Sequence, residues 1–203
     1  MSLHDYTQME GLGLRIVPIQ TPSQQDFYIY GSGRVDTKKV HDNVVNKWRW
    51  GNFDKMKLYV DNSYGASVQA QKMVIWRAAE EMLAEGKNAE AVEITDAYFT
   101  GFPDMNFPYD ARTLPHINVY IRAGALDKAK EHIRKLANRS VENMIFFDSL
   151  DEDDLKAGFS LDERLTSSAI SEILKVSKTM KDEAFAQEME TLLSPYSSSP
   201  VQE

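Results

Sequence analysis

The segment Asn46-Lys47-Trp48-Arg49-Trp50-Gly51-Asn52-Phe53-Asp54 holds the densest set of side chains able to recognise a ligand. Two tryptophans interleaved with Lys47 and Arg49 offer flat aromatic faces and cations suited to stacking on a sugar or a base. Asn52 and Asp54 are placed to accept hydrogen bonds from hydroxyls. The same residues have a packing reading, in which Trp48 and Trp50 pin an N-terminal arm onto a stack of helices. A second group sits at helical spacing. Trp76 and Glu80 lie one turn apart, as do Asn118 and Arg122, which makes the four candidates for lining one groove.

The remaining polar residues carry less. His4, His41, His116 and His132 fall in no metal-ligand pattern such as His-Glu-x-x-His, so no metal site and no catalytic residue is assigned. Asp151-Glu152-Asp153-Asp154 is acidic enough to attract calcium, but it lacks the alternating ligand spacing and the glycine of a calcium loop and reads as a solvated helix end. Gly31-Ser32-Gly33 is too short for a phosphate loop and reads as a turn. With no cysteine, thiolate metal sites, cysteine nucleophiles and disulfides are excluded. A net charge of −8 argues against a nucleic-acid partner, which needs clustered cations to neutralise phosphates. No apolar run approaches the roughly 18–20 residues needed to span a bilayer. Nothing implies a cofactor, and no acid/base carboxylate pair stands out, so the chain by itself is expected to be non-catalytic.

The elements that would position these residues are mostly helical. Met73–Pro103 reads as a helix, a turn at Gly86, a second helix and a closing proline, the spacing of a tetratricopeptide-type hairpin. Gly86 followed by Ala91 recurs 38 positions later as Gly124 followed by Ala129. The small residue early in the second helix permits a close helix crossing, so Ala91 and Ala129 belong in the core, as do the matched pairs Met82 with Tyr120 and Ala79 with Ile117. Pro103 closes the first unit, whereas the matching position of the second is Val141. The fold expected is mainly α, with tetratricopeptide-like antiparallel hairpins over 61–195, a small β-prone arm over 1–60 and a disordered tail over 196–203.

Within the arm, LGLRIVPIQ and DFYIYGSG read as short strands separated by the turn-forming Thr21-Pro22-Ser23, and Pro18 demotes the first to an edge. A short helix begins at Thr37 as N-cap and places Val40, Val44 and Trp48 on one face. Further helices are expected from Asp61 or Ser63 to Glu85, over Ala89–Phe99, from Asp110 or Thr113 onward, and over Leu126–Asn138. Val141–Leu155, Asp162–Met180 and Asp182–Leu193 follow, with Gly158-Phe159-Ser160 separating the first two of these.

The string Tyr6-x-x-Met9-Glu10-Gly11-Leu12-x-x-Arg15-Ile16-Val17-Pro18, then Gly33-Arg34-Val35-Asp36, then Asp42-Asn43-x-x-Asn46-Lys47-Trp48-Arg49-Trp50-Gly51-Asn52-x-Asp54 and Leu58-Tyr59-Val60-Asp61, resembles the C-terminal region of a family of large multi-pass membrane proteins. That family has no assigned function and is similar to protein O-mannosyltransferases and other lipid-sugar-dependent glycosyltransferases. The resemblance implies that the chain is an excised soluble domain on the extracytoplasmic face of the inner membrane, reaching the membrane only through its parent chain. It further implies that the parent's catalytic carboxylate lies in a membrane-embedded domain. The partners expected are a protein acceptor or a partner subunit, with a glycan possible. The alternative is a free-standing helical scaffold for protein–protein interaction.

Overall fold

The computed structural model describes residues 4–20 and 33–197. The expected turn at Thr21-Pro22-Ser23, the β-prone run 26–32 and the tail 198–203 lie outside them. The chain is mainly α-helical with a small three-stranded sheet near the N-terminus. It divides into two units, Met1–Phe107 with Arg122–Gly124, and Pro108–Ile121 with Ala125–Glu203.

In the first unit, strands β1 (Thr7–Met9), β2 (Leu14–Ile16) and β3 (Arg34–Val35) lie in the order β2-β1-β3. β1 runs antiparallel to β2, with Gln8 opposite Arg15, and parallel to β3, with Met9 opposite Val35. Among the described residues β2 forms one edge of the sheet, and Pro18 follows it. The central strand, β1, has no signature in the sequence, because three residues are too few to show alternation. Helix α1 (Thr37–His41) is capped by Asp36, whose carboxylate accepts from the Lys39 N–H at 3.1 Å. Thr37, expected as the cap, is the first helical residue. Its hydroxyl donates to Glu85 at 2.7 Å and accepts from Lys87 at 2.9 Å. The chain stays helical in a wider turn to Lys47, burying Val40 and Val44.

A short turn at Asn62–Tyr64 leads into α2 (Gly65–Ala84), which packs against α3 (Asn88–Gly101). Gly86, at φ 74°, lets the Lys87 N–H reach the Met82 carbonyl at 2.8 Å and so ends α2. From α2, the buried Arg77 guanidinium donates to the Gly33 carbonyl and reaches the Met9 sulfur at 3.6 Å, tying the sheet to the hairpin. Burial pulls its pKa down, and Glu81 opposes the shift. The arm therefore shares a unit with α2 and α3, where the sequence suggests a boundary after residue 60.

A turn at Ala111–Thr113, capped by Asp110, opens α4 (Leu114–Ala123), and α5 covers Leu126–Asp148. The α4–α5 turn repeats that of α2–α3: Gly124 has φ 82°, and the Ala125 N–H bonds the Tyr120 carbonyl at 2.8 Å. The helices that follow the two turns differ, since α3 has 14 residues and α5 has 23. Gly101 and Pro103 stop α3, whereas 38 positions on stand Arg139 and Val141, which interrupt nothing. The two helices expected over 126–138 and 141–155 are thus one helix to Asp148, and the second helices of the two hairpins differ in length. Ala91 and Ala129, and the pairs Met82 with Tyr120 and Ala79 with Ile117, are all buried as the spacing predicts.

In the second unit Asp151 caps the short α6 (Glu152–Asp154), accepting from the Asp154 N–H at 2.8 Å, which accounts for part of the acidic run. The backbone then remains helical through Leu155–Phe159 into α7 (Ser160–Thr179), so Gly158-Phe159-Ser160 is no separator. Asp182 caps α8 (Glu183–Leu193), accepting from the Phe185 N–H at 3.0 Å. Helices α5, α7 and α8 pack on one another around Met144, Ile170, Ile173, Phe185 and Met189. No helix among the described residues is long and apolar enough to cross a membrane.

Candidate binding pocket

The tryptophan segment meets the end of the α2–α3 hairpin in the first unit. Gly51 and Asn52 both have positive φ, 60° and 66°, and the Phe53 N–H bonds the Trp50 carbonyl at 3.1 Å, closing a tight turn of the kind Gly-Asn favours. That reversal lays the Trp50 ring on the backbone of Gly101. A Cβ built on Gly101 would stand 2.2 Å from the ring, so only glycine fits there. Trp50 also meets Phe102 edge to face at 5.6 Å, and Phe53 and Phe102 each meet Phe107, at 5.0 and 5.1 Å.

Beside this cluster opens a cavity of about 350 Å3. Its aromatic wall is Trp50, Phe53, Phe102 and Phe107; Tyr59 and Tyr64 stand exposed at it; Ser67, Val68 and Gln71 come from one face of α2. Among the described residues Arg49 is the only charged one that lines it. A mostly apolar concavity of this size with a few polar groups has the character of a ligand site. The described lining, aromatic faces with Arg49, Ser67 and Gln71, suits stacking and hydrogen bonding.

Asn106 holds the loop that forms the outer wall. Buried itself, it donates to the Phe53 and Met56 carbonyls, both at 2.8 Å, and accepts from the Leu58 N–H at 2.6 Å. Asn106→Ala is expected to strand three backbone groups and lower stability by about 1–3 kcal/mol, which urea denaturation measures. Quenching of the tryptophans by added acrylamide should rise with it as the loop loosens.

Trp48 turns the other way. Half-buried, it meets Trp50 edge to face at 5.6 Å and 67°, so the two rings form no single flat platform. Its outer edge lies near Gly11, beside a shallow cavity that Glu10, Arg15 and Asn43 also line. Glu10 joins three elements there. It accepts from Arg15 at 2.6 and 2.9 Å, from Lys39 at 2.6 Å and from Gln8 at 3.1 Å. Chiefly through the Arg15 hydrogen bonds and then Lys39, its carboxyl is lowered to about 2 from 4.5. Because the folded value is the depressed one, the stabilisation is complete above the unfolded value and is lost as pH falls from about 4.5 toward about 2. The stability gap between the wild type and Glu10→Gln should therefore narrow over that window in urea titrations run at stepped pH. A gap that is constant with pH would remove Glu10 from the acid response.

The other residues expected to bind are not among the lining of the Trp50 pocket. Asn52 is exposed and belongs to the turn, its carbonyl accepting from the Lys55 N–H at 3.0 Å; Asp54 is exposed beyond it. Trp76 and Glu80 lie half-buried on α2, and Glu80 is taken up in an ion pair with Arg122, also of the first unit. Asn118 belongs to the second unit. Of the histidines, His41 pairs with Glu93 at 2.8 Å, and His132 hydrogen-bonds Tyr109 at 2.9 Å while stacking on Tyr120. Sequence reasoning missed the pocket residues Tyr59, Val60, Tyr64, Gly101, Phe102 and Phe107 and the α2 face of Ser67, Val68 and Gln71, and it missed Asn106 as the brace of the wall. Only the two tyrosines, flanking a helix start, carried any signal. Comparison with protein-family models, with curated proteins and with solved structures returns no match.

Proposed function

We propose that this chain is a recognition domain, the extracytoplasmic C-terminal part of a multi-pass membrane glycosyltransferase-like protein, and that it seats a protein acceptor or partner subunit in the Trp50 pocket. The observation that carries the reading is the pocket itself, an aromatic concavity of about 350 Å3 in which Arg49 is the single charge among the described residues, on a chain of net charge −8. Its walls suit a planar or apolar side chain, or a sugar ring borne on the acceptor. The resemblance of the chain to the membrane-protein family, whose most specific motifs lie before Asp61, suggests the membrane context. The recurrence of one turn geometry at Gly86 and Gly124 supports a tetratricopeptide-like origin for the hairpins.

The test is made in the parent protein with Tyr59→Ala and Tyr64→Ala, two exposed residues of the pocket. Glycosylation of protein acceptors should fall several-fold, while consumption of the lipid-linked donor with a small acceptor persists. Full retention of protein glycosylation across natural acceptors rejects the recognition role. Loss of partner capture with glycosylation unchanged would instead favour the free-standing scaffold.

A further inference from the structure

A second concave surface lies in the other unit. Phe146 near the end of α5, Phe159 ahead of α7 and Leu165 on α7 line one cavity of about 270 Å3 and are 45%, 37% and 43% exposed. Leu161, one turn before Leu165, is 60% exposed. The Phe146 and Phe159 rings meet edge to face at 5.3 Å, and the buried Phe147, Thr166 and Ala169 also line the cavity. Large apolar side chains clustered at a hollow are unlike the scattered exposed leucines of an ordinary surface.

The charge around the hollow is mostly acidic, although Arg112 also lines it. Asp148, Asp151, Asp153 and Asp154 fall between Phe146 and Phe159 in the chain, and Asp162 lines the cavity. Of the nearby cations, Lys156 is engaged by Glu152 and Arg112 by Asp110, while Arg164 stands exposed beside Leu165. Among the described residues, Asp148, Asp153 and Asp162 have no cationic partner.

We propose that this surface docks a basic amphipathic helix of a partner protein. One apolar anchor enters between Phe146, Phe159 and Leu165, while Lys and Arg on its flanks face Asp148, Asp162 and the 151–154 run. Complementary charge selects this occupant. A second copy of the chain would bring the same acidic rim and a net charge of −8, and an anionic bilayer would be repelled in the same way.

The test uses the 203-residue chain and a fluorescein-labelled synthetic helix about five turns long. The helix has leucines at i, i+3, i+4 and i+7 and lysines elsewhere, and its twin carries glutamates in place of the lysines. The lysine peptide should bind at least about tenfold more tightly than the glutamate peptide, with affinity falling as salt rises. Phe146→Ser with Leu165→Ser should weaken it at least about tenfold, and Asp148→Asn with Asp162→Asn should abolish the preference for lysine. If the serine pair lowers the melting temperature, Leu161→Ser takes its place. Equal binding of the two peptides, no binding of the lysine peptide, or affinity unchanged by the serine variants overturns the proposal. Two further results also overturn it: self-association in sedimentation that the serine variants dissolve, which assigns the surface to a second copy, and binding to phosphatidylglycerol vesicles that they abolish, which assigns it to lipid.

Discussion

Gly33→Ala is expected to destabilise the first unit by about 2–5 kcal/mol, combining a left-handed backbone cost of about 1–2 kcal/mol with overpacking of about 1–3 kcal/mol. Gly33 sits at φ 84°, and a Cβ there would stand 1.7 Å from the Thr7 carbonyl oxygen and 2.3 Å from its carbon. Both atoms are backbone of the central strand, so no side-chain rotation relieves the contact. β3 would have to lift from β1, and the buried Arg77 would lose the Gly33 carbonyl it donates to. Gly86→Ala is the control. Its φ of 74° is similar, but nothing lies within 4 Å of its Cβ position, so only the conformational cost of about 1–2 kcal/mol should appear in urea denaturation. Equal losses at the two glycines would mean that the close approach of β3 to β1 contributes nothing.

The contrast between those glycines shows what a sequence discloses. Gly86 was legible because it ends a long periodic helix, and so was the α2–α3 hairpin, whose burial repeats every three to four residues. Gly33 looked like one more turn residue in Gly31-Ser32-Gly33, since its necessity comes from Thr7, 26 positions away. The start of α8 was read within one residue because Asp182 caps it locally, while the start of α4 stayed open between Asp110 and Thr113, where a turn capped by Asp110 precedes the helix. Helix ends were misjudged where no glycine or proline intervenes, as in α5. The pocket was half legible. The tryptophans announced it by type, but Asn106 and Gly101 act through tertiary contacts that leave no periodic trace. The Trp76 group was likewise partly legible: Glu80 and Arg122 are neighbours as expected, but the sequence did not disclose that they form an ion pair with each other.

Trp50→Ala is expected to cost about 2–3 kcal/mol, less than the roughly 3–5 kcal/mol of a fully buried aromatic because the ring is half-buried. The loss falls on contacts with Gly101, Phe102 and Trp48, which link the arm to the end of the hairpin. Gly101→Ala tests the same contact from the other side. Its methyl would occupy space 2.2 Å from the Trp50 ring and displace it, at about 1–3 kcal/mol. The two substitutions should not add, because once Trp50 is gone the alanine at 101 meets no ring and favours the helix it ends. A double variant no less stable than Trp50→Ala alone is therefore the expected result, read from paired urea titrations. Tyr64→Ala supplies the functional counterpart: exposed at the same pocket, it should leave stability within about 0.5 kcal/mol while removing ligand contact. If instead Trp50→Ala were neutral and the costs of Trp50→Ala and Gly101→Ala simply summed, the ring would be no anchor. Its place at the pocket would then serve the ligand alone.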